Sequence, residues 1–380
     1  MTLPNQTPEY KTASNDFRSD TFTTPTPEMI QYALTASIGD AVYNEDADTL
    51  KLEQTIAEIA GKEAGLFCVS GTLSNQIALR AHLYQPPYSI LCDHRAHVYS
   101  HEAAGLAVLS QAMVIPVVPS NGNYLTLEDI VSKVVPDDED IHTAPTRVIS
   151  LENTLHGIVY PIDELRRIRQ WATENGIKLH CDGARLWNAS VASGVPMREY
   201  CELFDSVSIC LSKSMGAPIG SVLVGDTAFV RKCNHLRKQQ GGGIRQSGLI
   251  AKMALYCVER SDWRVKLGYS HELASDLAGF CHEHEIPLEC PSDTNFVFVD
   301  LPRAKIDPEY LVQLGSKYDV RLMGGRISFH YQNSKEALER VKQTLLEAMA
   351  YARVHPFTSL GAAKIYRSGT PVASVQTVEH

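Results

Sequence analysis

Asp182 and Lys213 each close a short apolar run, in His180-Cys181-Asp182-Gly183 and Cys210-Leu211-Ser212-Lys213. A lysine at the mouth of an apolar sheet is costly, because burial disfavours its charged form. A lysine whose pKa is lowered in this way can form a Schiff base with a carbonyl group. A buried carboxylate nearby could pair with a pyridinium nitrogen and keep that ring electron-withdrawing. The same two residues could equally form a structural ion pair.

Other groups could join them. Ser70-Gly71-Thr72-Leu73-Ser74-Asn75 is a small-residue turn that opens a helix, and such a turn can cradle a phosphate or simply connect two elements. His97 and His101 stand at helical i, i+4 spacing. That spacing could suit a metal, but no third ligand follows at an obvious distance and no metal is expected. His97 could instead stack on a flat ring or move a proton. His142 and His156 flank the run 148–151, and either could be a loop histidine without a role. Arg185 and Arg326 carry forks that match a carboxylate or a salt-bridge partner. The loop Gly241-Gly242-Gly243 between Lys238 and Arg245 could be a hinge, or could bring both cations to an anion.

These residues need a scaffold, and the apolar runs supply one. Runs at 66–69, 89–92, 113–118, 148–151, 178–181, 207–210 and 221–224 alternate with helical stretches at 49–60, 73–83, 162–174 and 227–238. Buried strands alternating with helices predict an α/β unit with a seven-stranded, mainly parallel sheet between helices. Ligands bind such sheets at the carboxyl ends of the strands, where Ser70, Asp182 and Lys213 lie. Helices at 246–259, 264–283, 308–314 and 335–352, with strands at 296–299, 320–323 and 326–330, predict a smaller C-terminal α+β unit. The expected divisions are an N-terminal arm (1–25), a large unit (26–260), a small unit (261–352) and a polar tail (353–380).

Bulk properties bound the function. The 380 residues are 44% hydrophobic, enough for a large core, and the net charge of -9 argues against nucleic acid as a partner. No apolar stretch is long enough to span a bilayer, so no membrane role is expected. Nine cysteines without a CxxC pair read as reduced thiols and point to the cytoplasm.

Several of these segments together resemble the low-specificity L-threonine aldolases of the fold type I, aspartate-aminotransferase-like superfamily. They are Arg18-Ser19-Asp20-Thr21, Gly39-Asp40-Ala41-Val42-Tyr43, Val69-Ser70-Gly71-Thr72, Arg95-Ala96-His97-Val98-Tyr99, Leu151-Glu152-Asn153-Thr154, the Asp182 and Lys213 segments above, and the triple-glycine loop. The resemblance implies pyridoxal 5′-phosphate (PLP) as a Schiff base on Lys213, with Asp182 at the pyridine nitrogen and His97 stacked on the ring. It implies Gly71 and Thr72 at the phosphate, and Ser19, Arg185 and Arg326 at the substrate carboxylate, with Arg185 also beside the cofactor. Lys238, Arg245 and Tyr43 are implied to reach a neighbouring subunit's site in a homotetramer built from dimers.

The implied reaction is retro-aldol cleavage of L-threonine or L-allo-threonine to glycine and acetaldehyde, in glycine supply. His97 and His142 are the candidate bases for the β-hydroxyl proton, with Glu102 able to act through water. β-Elimination by a related fold type I enzyme is the alternative, since Lys213 and Asp182 would serve either outcome. One departure is visible. Many bacterial members carry a histidine directly after Glu-Asn-Thr, whereas here Leu155 holds that place and His156 follows it; no role is transferred to His156.

Overall fold

The computed structural model describes residues 11–358. Its main sheet contains β1 (Ala64–Cys68), β2 (Ser89–Asp93), β3 (Met113–Val117), β4 (Thr146–Glu152), β5 (Lys178–Gly183), β6 (Ser206–Cys210) and β7 (Ser221–Gly225). Their order is β1-β7-β6-β5-β4-β2-β3. The pairs from β6 across to β3 are parallel, and β7 runs antiparallel to both β6 and β1. Six strands therefore point one way, and seven strands with one reversed form the mainly parallel sheet expected. Strands β2, β6 and β7 are buried throughout, as strands covered on both faces by helices should be.

The helix Gly71–His82 packs across β4, β5, β6 and β7. Ser70 caps it, its hydroxyl accepting from the Leu73 N–H at 3.1 Å. Three consecutive polar side chains, Ser74, Asn75 and Gln76, are buried on this helix beside Ile77, Ala78 and Leu79. Buried polar groups need partners, and Asn75 and Gln76 find theirs in Asp182 and Glu102 at the sheet's carboxyl end.

A second, two-stranded antiparallel sheet pairs β8 (Phe296–Phe298) with β9 (Arg326–Ser328). It packs with the helices Pro308–Lys317 and Lys335–Val354 and the distal part of the long helix Trp263–Glu283. Trp263 and Leu267 of that long helix belong to the core of the main sheet, whereas Leu273, Leu277 and Cys281 belong to the second core. The helix thus ties the two cores together.

Three expectations fail locally. The stretch 320–323 is not a strand: its backbone is taken by the N-terminal segment, through Phe17 N–H to Arg321 O at 2.9 Å and Arg321 N–H to Asn15 O at 2.9 Å, which leaves one isolated bridge. The helix expected at 246–259 is α-helical over Gly248–Leu255 and turns into a π-helical stretch at Tyr256–Arg260. Residues expected to form an arm are partly structural. Residues 1–10 lie outside the described residues, but Phe17 is fully buried in the second core, edge-on to Phe329 at 5.5 Å. Most of the expected tail lies outside the described residues as well. We expect Phe17→Ala to cost about 3–5 kcal/mol by leaving an aromatic-sized cavity; a urea-unfolding midpoint equal to wild type would show that this segment adds nothing to the core.

Candidate active site

The parallel strands end together. Register pairs Glu152 of β4 with Asp182 of β5, and Asp182 with Ser208 of β6. Two carboxylates therefore sit side by side at the mouth of the sheet. Glu152 is held above the ordinary carboxylate range by burial and by the charge of Asp182. Its Oε2 accepts the backbone N–H of His97 at 2.9 Å.

Lys213 stands in the turn after β6. Its Nζ lies 3.2 Å from Cys210 Sγ. Gly71 explains how the helix start comes so close: a Cβ there would meet Cys210 Sγ at 2.7 Å, with Lys213 Nζ at 3.9 Å. A glycine lets the helix N-terminus, with its outward N–H groups, reach the lysine. Thr72, the next residue, is exposed at that end.

The ion-pair alternative for Lys213 is not realised: among the described residues neither Lys213 nor Asp182 has a salt-bridge partner. The expected lowering of the lysine pKa is not found either. Burial pulls it down, but the Cys210 sulfur and the charges of Asp182 and Asp20 outweigh that and the opposing Arg185, so the net shift is upward. The carboxylates converging on this mouth come from chain segments that no local pattern couples.

Asp182 and Glu102 share one partner. Asn75 Nδ2 donates to Asp182 Oδ2 at 2.8 Å and to Glu102 Oε1 at 3.0 Å. Gln76 Nε2 donates to Glu102 Oε2 at 2.6 Å, and His97 Nδ1 lies 2.8 Å from Glu102 Oε1. Burial disfavours the charged His97 ring, but the Glu102 hydrogen bond and the charges of Asp182 and Glu152 prevail and raise its pKa. His97, Glu102 and Asp182 place one candidate ligand atom each within 4.8 Å of one another. Amide donors from Asn75 and Gln76 already serve these carboxylates, so hydrogen bonding accounts for the cluster.

A second knot forms beside the lysine. Asp20 is fully buried and accepts both Nε and Nη2 of Arg185, at 2.9 and 2.7 Å. It also accepts Ser214 Oγ at 2.7 Å and Asn295 Nδ2 at 3.3 Å. Burial opposes its charge, but Arg185 and Ser214 hold its carboxyl far below the usual range. The Arg185 and Arg326 guanidiniums stand 4.6 and 5.9 Å from the Phe296 ring centre, so the two forks predicted for a carboxylate share one aromatic neighbour. Arg326 Nη2 also donates to Arg18 O at 2.9 Å. Ser19 is buried between Arg18 and Asp20, its hydroxyl accepting from Thr21 N–H at 3.3 Å.

The structure separates other expected residues from this mouth. His142 precedes β4, at the opposite end of the sheet from Glu152, and its exposed ring pairs with Asp140 at 2.8 Å. Seven residues of strand span roughly 23 Å, so His142 is no base for this chain's lysine site. Arg245 pairs with Asp40 at 2.8 Å and lies over the exposed Tyr43 ring; Lys238 packs near Gly243. These three form an outer patch within one chain.

Sequence reasoning gave no role to Asp20, Asn75, Glu152, Asn295 or His156. Asp20, Glu152 and Asn75 lay inside segments quoted above, but their partners are distant in sequence. His156, with φ 53°, stacks on Phe298 at 4.9 Å. Burial, helped by the charges of Arg95 and Arg326, holds its pKa down at about 4.

A family model described as beta-eliminating lyase matches residues 16–304. The chain is 69% identical over 361 residues to the low specificity L-threonine aldolase of Saccharomyces cerevisiae, covering 95% of this chain and 93% of that protein. Among solved structures it is similar to the threonine aldolase of Leishmania major, with a TM-score of 0.74 at 21% identity over 88% of this chain and 99% of that one. It also shares its fold with a structure described as SPT with PLP, with a TM-score of 0.67 at 15% identity over 89% of this chain and 88% of that one.

Removing the charge of Asp20 should strand Arg185 in a buried site. We expect Asp20→Asn to lower stability by about 3–5 kcal/mol at neutral pH. A carboxyl with a depressed pKa stabilises above the ordinary carboxylate range and loses that contribution as pH falls through its folded value. The gap between wild type and variant in urea unfolding should therefore narrow as the solution is acidified below pH ~4. A gap unchanged across that range would contradict the assignment.

Proposed function

We propose that this chain, which belongs to the low-specificity L-threonine aldolases of the beta-eliminating lyase family, cleaves L-threonine and related β-hydroxy-α-amino acids to glycine and an aldehyde. The observation that carries this reading is the meeting of Lys213, Asp182 and the Arg185–Arg326 pair at one sheet mouth.

The residues fit PLP. Gly71 leaves room beside the lysine where any Cβ would collide, and the capped helix behind it offers N–H donors suited to a phosphate. Lys213 would hold the cofactor as a Schiff base, Asp182 would pair with its ring nitrogen, and His97 would cover the ring. When bound, PLP supplies an electron sink for the charge that appears on Cα as the Cα–Cβ bond breaks.

The side chains do the remaining work. Arg185 and Arg326 grip the substrate carboxylate, which fixes the direction of the Cα–Cβ bond. That grip is common to every α-amino acid, so it favours broad acceptance of β-substituents. His97, oriented through Nδ1 by Glu102, takes the β-hydroxyl proton at Nε2. Its raised pKa suits a proton acceptor, since its carboxylate neighbours stabilise the imidazolium that results. His156 and His101, both with lowered pKa values and both under the charge of Arg326, are neutral rings that can hold the hydroxyl or share in its deprotonation.

A homotetramer built from dimers is supported by the outer patch. Its exposed Tyr43 ring lies under Arg245, and a second copy would bring that patch's Lys238 and Arg245 toward a neighbouring phosphate. A reducing, cytoplasmic setting is supported by nine free cysteines. Among the described residues no helix is long and apolar enough to cross a membrane.

The purified protein with PLP should show a visible Schiff-base absorption band that is lost in Lys213→Ala. Glycine and acetaldehyde should appear from threonine; 2-oxobutyrate with ammonia would favour elimination instead. His97→Ala should lower cleavage by roughly 10²-fold or more, and His142→Ala should leave it unchanged. Activity should fall as pH drops through the raised His97 value, and Glu102→Gln should move that limb toward lower pH. An unmoved limb would remove His97 as the base. Sedimentation of the purified protein as a monomer would overturn the assembly.

A further inference from the structure

Behind Asp182 a line of buried polar groups runs away from the site, and none of them has a part in the mechanism above. His82 Nε2 lies 2.7 Å from Ser206 Oγ, and Ser206 Oγ lies 2.8 Å from His180 Nδ1. His180 Nε2 lies 3.1 Å from Asn75 Oδ1, and Asn75 Nδ2 reaches Asp182 Oδ2 and Glu102 Oε1. His180, Ser206 and Asn75 are each at most 1% exposed. His180 and Asp182 stand two residues apart on β5, so both project from the same face of the sheet, the face covered by the helix that carries Asn75 and His82.

The proton positions along this line follow from its end. Two carboxylates face the Asn75 amide, and a carboxylate accepts only. The amide nitrogen must therefore point at them, which turns Oδ1 toward His180. An amide oxygen also accepts only, so His180 Nε2 carries the proton. Burial holds His180 at about 4 and His82 at about 3, so each ring is neutral and carries a single N–H. His180 Nδ1 is then an acceptor, and the Ser206 hydroxyl must donate to it. The Ser206 oxygen in turn accepts from His82 Nε2–H. Every hydrogen bond from His82 to Asp182 points its positive end toward the carboxylate.

We propose that His82, Ser206, His180 and Asn75 form a one-way chain of positioning residues that supports a negative charge on Asp182 through neutral dipoles. Aligned hydrogen bonds polarise one another, and in a low-dielectric interior this strengthens the final donor. A cation next to Asp182 would compete with a pyridinium for the same carboxylate; a chain of neutral dipoles favours the charge and leaves the second oxygen open to it. Among the described residues, Asp182 Oδ1 accepts at its other side only the Ala184 backbone N–H, at 3.0 Å. The shared Asn75 nitrogen also links Asp182 to Glu102, and so to His97, at a single side chain. The proposal rests on PLP being the group that meets Asp182.

The far end of the chain gives the test. His82 stacks on Phe229 at 4.5 Å, so His82→Phe keeps an aromatic contact and removes the donor, while His82→Gln keeps an N–H near the Nε2 position. PLP dissociation constants would be measured by absorbance titration of protein stripped of cofactor, together with melting temperatures. We expect His82→Phe and Ser206→Ala to weaken PLP binding by roughly three- to tenfold, the effect of one lost hydrogen bond, with His82→Gln close to wild type. Wild-type affinity in both His82→Phe and Ser206→Ala overturns the proposal. Equal weakening in the two His82 variants, in step with lower melting temperatures, assigns His82 to packing and overturns it as well. Histidine ¹⁵N shifts of the holoprotein give an independent reading: a His180 proton on Nδ1 would reverse the chain. If wild type itself fails to bind PLP, the cofactor reading falls first, a result distinct from any of these.

Discussion

The buried carboxylate of Asp20 is the point on which the arrangement turns. It comes from the N-terminal segment, Arg185 from the loop after β5, Ser214 from the turn that holds Lys213, and Asn295 from the approach to β8. An isolated buried charge would be prohibitive, and one guanidinium rarely repays the desolvation of both ions by itself. The additional donors complete the coordination, so the charge is tolerated only when all four segments are in place. The knot thus makes the register between the main sheet and the second core a condition of satisfying one anion. Arg185 and, through the turn that carries Ser214, Lys213 are positioned by the same condition.

Around that knot the sheet solves a different electrostatic problem. Parallel strands of similar length end at one level, and here three of them deliver Asp93, Glu152 and Asp182 to that level. Adjacent carboxylates in a dry site cannot all ionise at ordinary cost. Glu152 yields, its pKa driven upward by burial and by Asp182, and it accepts the His97 backbone N–H. Asp182 instead receives the Asn75 amide, and Glu102 receives Asn75, Gln76 and His97. Similar groups a few ångströms apart are thereby given different hydrogen-bond partners, which lets them take separate roles.

Much of this was legible in the chain. Seven strands, the helices between them and the smaller α+β unit follow from short apolar runs and helical periodicity, because those patterns depend on residues close in sequence. Lys213 and Asp182 stood out for the same reason: a charged residue directly after a buried run is an anomaly visible locally. Asn75 lay in the small-residue turn that opens the helix, but its partners Asp182 and Glu102 are distant in sequence. The stretch 320–323 failed because its β-like composition met only the N-terminal segment as partner, and strand formation depends on what lies alongside.

The sequence by itself determined the sheet, the lysine, the acid and, through its motifs, the family. Only the tertiary structure decided that His142 faces the wrong end, that Asp20 and Asn75 organise the charges, that Phe17 is core, and that the Lys213 pKa moves up. The physical reason is that secondary structure follows local periodicity, whereas the protonation and orientation of buried polar groups are set by whichever distant groups the fold brings within hydrogen-bonding range.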